Sequence, residues 1–168
     1  MGNSSLTRRR LLGGVIAAGC VALPAMAKTP LRACPMDRVT ITGGFGKAAF
    51  NIDLAADDST RAQGLMHVPQ MPLSKGMLFV YDAPQQMAFW MRNTLIELDM
   101  LFVDRFGVIR HIHHRAQPLD ETVISPGDIK LTGVLEINGG LARRLGIQVG
   151  DVLRHPSFTS IENPWACS

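Results

Sequence analysis

The amino-acid sequence predicts a mainly β protein: a single compact domain, built as a β-sandwich or a partly open barrel, with two short helices. Three observations lead to this fold class. The apolar runs have the length of strands, turn-forming residues separate them, and only two segments carry helix signals. Many short strands with few helices are typical of sandwiches and barrels.

The central stretch, residues 76–107, is the most informative part of the chain. Aromatic and β-branched residues fill its apolar runs, and turn-forming residues separate them. Pro84 argues against one long helix, since proline removes a hydrogen bond from a helix interior. We therefore predict three strands here, at Met77–Tyr81, Met87–Met91 and Leu98–Val103.

The other elements follow from the same patterns. Further strands are predicted at Val39–Thr42, Ala48–Leu54, Val108–His114, Gly133–Asn138 and Val152–Arg154. Residues 57–60 offer several helix N-caps, and Thr60 with Gln63 could form a capping box at the start of a short helix. A second short helix is predicted at Leu141–Leu145, where Gly146 ends it.

Residues 1–27 have the pattern of a cleaved export signal. Arg8–Arg10 precede an apolar run, and Ala25–Ala27 gives a small-x-small exit. The run is shorter than the roughly 20 residues that a helix needs to cross a bilayer. The adjacent arginines resemble a twin-arginine signal, while an ordinary secretory signal and lipoprotein processing at Cys20 remain alternatives. We expect a periplasmic or extracellular protein.

The predicted cleavage divides the rest of the chain and changes its charge. A tether at 28–37 would precede the β-rich domain at 38–155 and an irregular tail at 156–168. The whole chain has 17 basic and 14 acidic side chains, and three arginines leave with the signal. The mature chain is then formally neutral, which gives no electrostatic footprint for nucleic acid. No membrane span is expected in it.

Two cysteines, Cys34 and Cys167, lie near opposite ends of the mature chain. In an exported domain such a pair could form a disulfide that pins the termini together. Two unpaired thiols are the alternative, and the neighbouring residues do not decide between them.

Several motifs occur in order between about Phe50 and Leu153. They are Arg61-Ala62-Gln63-Gly64-Leu65-Met66, Gly76-Met77-Leu78-Phe79-Val80, Phe89-Trp90-Met91-Arg92-Asn93-Thr94, Leu98-Asp99-Met100-Leu101-Phe102-Val103-Asp104, Val134-Leu135-Glu136-Ile137-Asn138-Gly139-Gly140 and Gly146-Ile147-Gln148-Val149-Gly150-Asp151. Together they resemble the domain of unknown function 192 family. The resemblance implies a compact β-rich domain of jelly-roll-like character, often behind a signal peptide, and it implies no activity. Arg92 stands where the family usually has Lys, and Glu97 where Pro is common.

The candidate site residues belong to these motifs. Asp99 and Glu136 each lie inside an apolar strand, where a carboxyl group is either paired or has a raised pKa. If both face one cavity, they could serve as general acid and base, for example on a glycan. The alternative is that Arg61 or Arg92 pairs with them in structural ion pairs. The candidate binding residues are Arg61, Trp90, Arg92, Asn93, Thr94 and Asn138.

Histidines and methionines raise the question of a metal. His111 and His113 would share one strand face and could hold two corners of a site, with His67 or His155 as a third ligand. Met71 and His67 could bind Cu(I), which prefers soft sulfur ligands. A solvated polar face and ordinary core packing are the alternatives.

Three functional hypotheses follow. The sequence favours a non-catalytic binding or accessory module, acting on a small molecule, a glycan or an envelope protein through the polar cluster and without a cofactor. A glycan hydrolase using Asp99 and Glu136, and a periplasmic copper handler, remain as alternatives. No nucleophile-elbow, P-loop or dinucleotide-binding motif is present in the sequence.

Overall fold

The structure is a computed structural model that describes residues 1–2 and 35–158. The chain divides into two units, Met1–Pro30 and Leu31–Ser168, and the strands and helices of the described residues all belong to the second. The strands are β1 Arg38–Gly43, β2 Gly46–Ala55, β3 Lys75–Gln85, β4 Leu98–Val103, β5 Ile109–Ala116, β6 Leu131–Asn138 and β7 Val152–Arg154. The helices are α1 Asp58–Gln63 and α2 Leu141–Leu145.

Within the described residues, the seven strands form one sheet in the order β5-β4-β6-β3-β2-β1-β7. All neighbours are antiparallel except β2 and β3, which are parallel and joined through α1. The sheet curls until its two edges meet at a bridge between Val108 and Val152. There the amide of Ile109 donates to the carbonyl of Asp151 at 2.9 Å. This confirms the predicted mainly β domain in its partly open barrel form.

One face of the sheet lines the interior of the curl. Every strand contributes to it, and in β1, β2, β3, β4 and β6 the contributing residues are two apart, as the pleat requires. Ile41, Leu78, Leu101, Leu135 and Leu153 are among its fully buried side chains. Helix α2 packs against the same apolar cluster through Leu141 and Ala142.

The opposite face of β3, β4 and β6 is also buried, because the loops at 86–97 and 117–130 cover it. Met100, Phe102 and Val134 point to this side. Met87 and Met91 of the first loop pack on them, with Met91 wholly buried. Both faces of the central strands are therefore apolar, and a polar side chain on either face is removed from water.

The prediction of a strand at Met87–Met91 is wrong. This segment is a loop. Its single β-bridge within residues 35–158 is at Phe89, whose amide and carbonyl both bond to Ile124, and the amide of Met91 donates to the carbonyl of Asp120. Its apolar side chains cover the sheet instead of extending it. The expected break around Pro84 is also absent, since β3 continues to Gln85 with a register shift after Val80. Proline is tolerated at such an irregularity, where no ladder hydrogen bond is lost.

The capping box of helix α1 lies three residues earlier than the predicted box of Thr60 and Gln63. Asp57 is the N-cap, and its Oδ1 accepts from the amide of Thr60 at 2.9 Å. The Thr60 hydroxyl closes the box with the Asp57 backbone. The hydroxyl of Ser59, which donates to Oδ1 at 2.6 Å, and then the bonds with Thr60 lower the pKa of Asp57 to about 2.

Several predictions lie outside the described residues. They concern the export signal, most of the tether, Cys20, the pairing of Cys34 with Cys167, and the tail beyond Phe158. Among the residues that are described, no helix has the length and apolarity needed to cross a bilayer.

Candidate functional site

The two candidate carboxyl groups lie on opposite faces of the sheet. Glu136 on β6 pairs with Met100 on β4, whereas Asp99 pairs with Ile137. Residues paired across strands share a face, and consecutive residues alternate. Asp99 therefore points into the curl with Ile137, and Glu136 points toward the covering loops with Met100. The hypothesis that both acids face one cavity is wrong, although both are buried as expected, at 0% and 4% exposure.

Asp99 has a structural role. Its Oδ1 accepts from the amides of Arg115 and Gly140, each at 2.9 Å, and its Oδ2 accepts from the amide of Ala142 at 2.8 Å. These bonds tie the end of β5 and the first turn of α2 to the start of β4. The sequence suggested an arginine as the structural partner of the acid, but three backbone N–H groups take that place.

Glu136 has the opposite environment. Its side chain makes no hydrogen bond or ion pair with any residue between 35 and 158. Loss of hydration on burial raises the pKa of this carboxyl group to about 8. A buried acid without a partner is unfavourable as a carboxylate, so at neutral pH the group is largely protonated.

The Glu136 carboxyl group faces a cavity of about 230 Å³, hereafter the Glu136 cavity. Its wall is formed by α1, the segment after it, β3 and the loop at 88–94. The lining residues are Arg61, Ala62, Gln63, Gly64, Leu65, Met66, Phe79, Tyr81, Ala88, Phe89, Trp90, Arg92, Thr94 and Glu136. Four of the six predicted binding residues, Arg61, Trp90, Arg92 and Thr94, are among them.

Aromatic rings make up much of the wall. Phe79 and Phe89 meet edge to face with ring centroids 5.2 Å apart, and Phe89 contacts Phe102 in the same way at 5.8 Å. This arrangement fixes the ring orientations, because edge-to-face pairs are favoured over random contacts. Trp90 is 51% exposed and stands at the mouth of the cavity.

Arg61 forms one side of the cavity, and both terminal nitrogens of its guanidinium group have partners. One guanidinium nitrogen donates to the carbonyls of Ala56 and Val80 at 2.6 and 2.8 Å, and the other pairs with Asp58 at 2.6 Å. Its charged group also lies 4.8 Å from the ring centroid of Tyr81. Burial raises the pKa of Tyr81, and the charge of Arg61 opposes that shift.

Arg92 differs from Arg61, since its side chain is exposed and makes no hydrogen bond or ion pair within the described part of the chain. Thr94, next to it on the wall, is 5% exposed, and its hydroxyl donates to the Arg92 carbonyl at 3.4 Å. The cavity therefore combines an unpaired acid at its floor with an unpaired cation at its mouth.

The other two predicted binding residues, Asn93 and Asn138, do not line the cavity. The Asn138 side-chain amide donates to the carbonyls of Met71 and Pro72, each at 3.1 Å, and holds the segment that leads into β3. Asn93 adopts a positive φ of 54°, which asparagine tolerates better than most residues. Its carbonyl accepts from the amide of His67 at 2.8 Å.

The predicted metal ligands are dispersed. His111 and His113 lie across from Phe102 and Met100, so they share a face as expected. Burial lowers the pKa of His111, and the neighbouring imidazoles add to that effect. Between residues 35 and 158, no three His, Cys, Asp or Glu side chains meet in a metal-binding arrangement.

The other candidate ligands serve the fold. Met71 packs against the apolar cluster under the covering loops. The imidazole of His155 bonds to the backbone, with Nε2 3.0 Å from the Met36 carbonyl and Nδ1 accepting from the Ser157 amide at 3.2 Å.

Sequence reasoning missed Tyr81 and Met66 as cavity residues. Alternation along β3 was available as a signal, because Met77, Phe79 and Tyr81 are two apart. This alternation does not identify the cavity face by itself. The register of β3 against β6 does, because it pairs Met77 with Glu136 and so puts Met77, Phe79 and Tyr81 on the same face as Glu136.

Comparison with known proteins fits this architecture. The family model described as DUF192, Uncharacterized ACR, matches residues 39–155, most of the chain. The chain belongs to the domain of unknown function 192 family. No curated protein gives a significant match.

Two solved structures are similar to this domain of unknown function 192 protein. A candidate transcription regulator from Sinorhizobium meliloti is 37% identical over 76% of this chain and 98% of its own, with a TM-score of 0.70. A protein of unknown function from Novosphingobium aromaticivorans is 39% identical over 84% of this chain and 99% of its own, with a TM-score of 0.68.

The two departures from the family motifs fall in different places. Arg92, where the resemblance implies Lys, is at the mouth of the cavity, and either residue would supply a positive charge there. Glu97 lies outside the cavity, where it accepts from the Gln117 side chain at 3.1 Å and stands 3.6 Å from the Arg115 guanidinium.

Proposed function

We propose that this chain is an exported, non-catalytic domain that binds a small molecule in the Glu136 cavity. The observation that carries the proposal is the unpaired, buried carboxyl group of Glu136 facing a cavity of about 230 Å³. Buried polar groups in proteins are normally hydrogen-bonded, so an exception facing a cavity indicates a ligand that completes the site.

The distribution of charged and aromatic groups supports binding rather than catalysis. Among the described residues that line the cavity, Glu136 is the only acid, because Asp99 is on the other face of the sheet and its oxygens accept from backbone amides. General acid–base catalysis on a glycan relies on two carboxyl groups that flank one bond. A ligand enclosed by Phe89, Trp90 and Glu136 has anchors but no such pair.

The charge of the chain also bears on the kind of partner. The description of the Sinorhizobium meliloti relative concerns transcription regulation. Without the three arginines of residues 8–10, this chain has 14 basic and 14 acidic side chains. A domain that binds nucleic acid usually shows a clear excess of positive charge. We therefore propose a small-molecule ligand for this chain.

Ligand binding can be tested by nuclear magnetic resonance with a panel of small polar fragments. We expect a subset to shift the indole N–H resonance of Trp90, and to lose that effect in the variant Glu136→Gln. Glu121→Gln, a change at an exposed acid outside the cavity, is the control and should leave binding intact. If no fragment shifts the cavity resonances, the proposal fails.

Export is proposed from residues 8–27 and has its own test. We expect the protein in the periplasmic or extracellular fraction to begin at Lys28, as read by mass spectrometry of the intact chain. Replacing Arg8 and Arg9 by lysine should retain the precursor in the cytoplasm if the twin-arginine route is used. An uncleaved chain in the cytoplasm of unmodified cells would contradict the proposal.

A further inference from the structure

The Glu136 cavity also indicates the chemical class of its ligand, an inference that rests on the proposed function. We infer that the cavity binds a small zwitterion, whose cationic nitrogen pairs with Glu136 among the aromatic rings and whose anionic group meets Arg92. Three features that share one cavity carry the inference: the Glu136 carboxyl group, the aromatic rings and the Arg92 guanidinium group. Neither charged group has a partner among the described residues.

At the floor of the cavity, the Glu136 carboxyl group favours a positively charged ligand group. The Glu136 carboxyl group is 4% exposed and has no hydrogen-bond donor or cation among the described residues. A buried carboxylate is stabilised most by an opposite charge that also hydrogen-bonds or packs closely. A ligand cation would supply the partner that the chain lacks.

The wall is suited to the same group. Phe79, Phe89 and Trp90 line the cavity beside Glu136. The negative faces of aromatic rings attract cations within about 6 Å, and rings around an acid are the usual means of recognising alkylated ammonium groups. The ring of Tyr81 already has such a contact with Arg61, whose positive charge is offset by Asp58 at 2.6 Å.

At the mouth of the cavity, the Arg92 guanidinium group favours a negatively charged ligand group. Arg92 is exposed and unpaired within residues 35–158, and it does not form an ion pair with Glu136. Guanidinium groups bind carboxylates with two parallel hydrogen bonds. Arg61 and Asp58 form an ion pair with each other. Among the described residues that line the cavity, this leaves Glu136 and Arg92 as the ionisable groups without a partner, and a ligand that carries both charges would pair with them.

The size of the cavity limits the ligand. A volume of about 230 Å³ corresponds to the liquid volume of about eight water molecules. It is smaller than the roughly 300–1,000 Å³ of pockets that bind drug-sized molecules. Amino acids and small betaines have the required size and both charges, whereas a disaccharide is too large.

Ionisation of Glu136 couples binding to pH. Burial raises its pKa to about 8, so a ligand cation must displace a proton at neutral pH. Affinity should therefore increase by up to about tenfold per pH unit as pH rises from 6 to 8, and level off above. The other groups around the cavity do not reverse this trend. Arg61 and Arg92 stay charged, Asp58 is paired with Arg61, and burial raises the pKa of Tyr81.

Isothermal titration of the purified protein with glycine betaine tests the inference, because its quaternary nitrogen does not titrate. The matched probes are 3,3-dimethylbutyrate, which replaces the charged nitrogen by carbon, and choline, which lacks the carboxylate. We expect betaine to bind at least about tenfold more tightly than either, and more tightly at pH 8 than at pH 6. Free alanine serves as a second zwitterion.

Variants assign the two contacts. Glu136→Gln and Arg92→Gln should each weaken betaine binding by more than about tenfold. Glu121→Gln and Arg144→Gln, at exposed positions outside the cavity, should not. Equal binding of 3,3-dimethylbutyrate, or affinity that falls as pH rises, would overturn the zwitterion. If other fragments bind through Glu136 while betaine and alanine do not, the inference is wrong and the binding function stands; if nothing binds, both fail.

Discussion

Glu136 lies directly opposite Met100 in the β4–β6 ladder, and this pairing turns the adjacent Asp99 to the other side of the sheet. Two acids that look alike in the sequence, each inside an apolar strand, therefore meet different neighbours. Asp99 accepts from three backbone N–H groups, and Glu136 accepts from none within residues 35–158. One acid connects β4 to β5 and α2, and the other faces the cavity to which we assign a ligand.

The structural role of Asp99 predicts a large loss of stability in Asp99→Asn. The amide keeps one acceptor oxygen but points its NH2 group at a backbone N–H that needs an acceptor. Breaking charged hydrogen bonds at a fully buried position should lower the free energy of unfolding by about 2–4 kcal/mol. Urea denaturation at pH 7 measures it.

Asp53→Asn is the matched control, since Asp53 pairs with Lys75 at 2.8 Å on the exposed surface. Exposed pairs contribute about 0–1 kcal/mol. If Asp99→Asn costs no more than this control, the three hydrogen bonds do not hold α2 as proposed. Ligand binding in the Glu136 cavity should survive both changes, because Asp99 is on the other face.

The environment of Glu136 predicts the opposite effect for Glu136→Gln, and one that depends on pH. The pKa is about 8 in the folded chain against the ordinary value of 4.5. The folded state then binds its proton more tightly than the unfolded state, so stability decreases as pH rises from about 4.5 to 8. The neutral glutamine lacks this dependence.

We expect the variant and the wild type to be equally stable near pH 4.5, apart from a constant offset from the substitution itself. By pH 9 the variant should gain several kcal/mol relative to the wild type. Urea denaturation at the two pH values, without ligand, measures the change. Glu121→Gln, at an exposed acid, should show no such trend. A relative stability that is constant from pH 4.5 to 9 would show that Glu136 is paired in solution.

Much of the fold was predictable because its signals are local. Alternation located β2 and β6, and α2 and β7 were predicted with the bounds observed, since Gly146 and Gly150 mark their limits. The segment 87–91 misled the prediction because an apolar run has the same composition whether it forms a strand or covers one. Only its position over Met100 and Phe102 distinguishes the two.

The candidate site was predictable residue by residue but not as an arrangement. Buried acids and nearby arginines are visible in the sequence, and Arg61, Arg92 and Glu136 do share one cavity. Which acid joins them depends on the register of β4 against β6, where a shift of one residue exchanges the faces. That register arises from contacts between segments more than thirty residues apart, which no local pattern encodes.

The close approach of β3 to β6 predicts that Gly76→Ala destabilises the domain. A Cβ atom at Gly76 would lie 2.6 Å from the backbone oxygen of Glu136 and 3.1 Å from Cγ2 of Ile137. Because the nearer atom belongs to the ladder itself, the strands must separate, at a cost of about 1–3 kcal/mol. Gly44→Ala, where a Cβ meets nothing within 4 Å, is the control for thermal denaturation. Equal melting temperatures for the two variants would contradict the prediction.

Arg61 should resist replacement by lysine, although lysine keeps the charge. The planar guanidinium reaches the carbonyls of Ala56 and Val80 with one nitrogen and Asp58 with the other, and it stacks over Tyr81. A lysine ammonium is a single point and cannot reproduce this fork. Leaving the half-buried Val80 carbonyl without a donor should lower the free energy of unfolding by about 1–2 kcal/mol.

Urea denaturation of Arg61→Lys and Asp58→Asn distinguishes the contribution of the guanidinium–carbonyl hydrogen bonds from that of the ion pair. The Asp58 side chain is fully exposed, so its loss should change stability much less than the loss of the fork. If Asp58→Asn were as destabilising as Arg61→Lys, the ion pair and not the carbonyl contacts would hold α1 against β3. The relative size of these two stability losses also bears on the cavity wall. A guanidinium group held by backbone carbonyls keeps its position whether or not the Asp58 charge beside it is present.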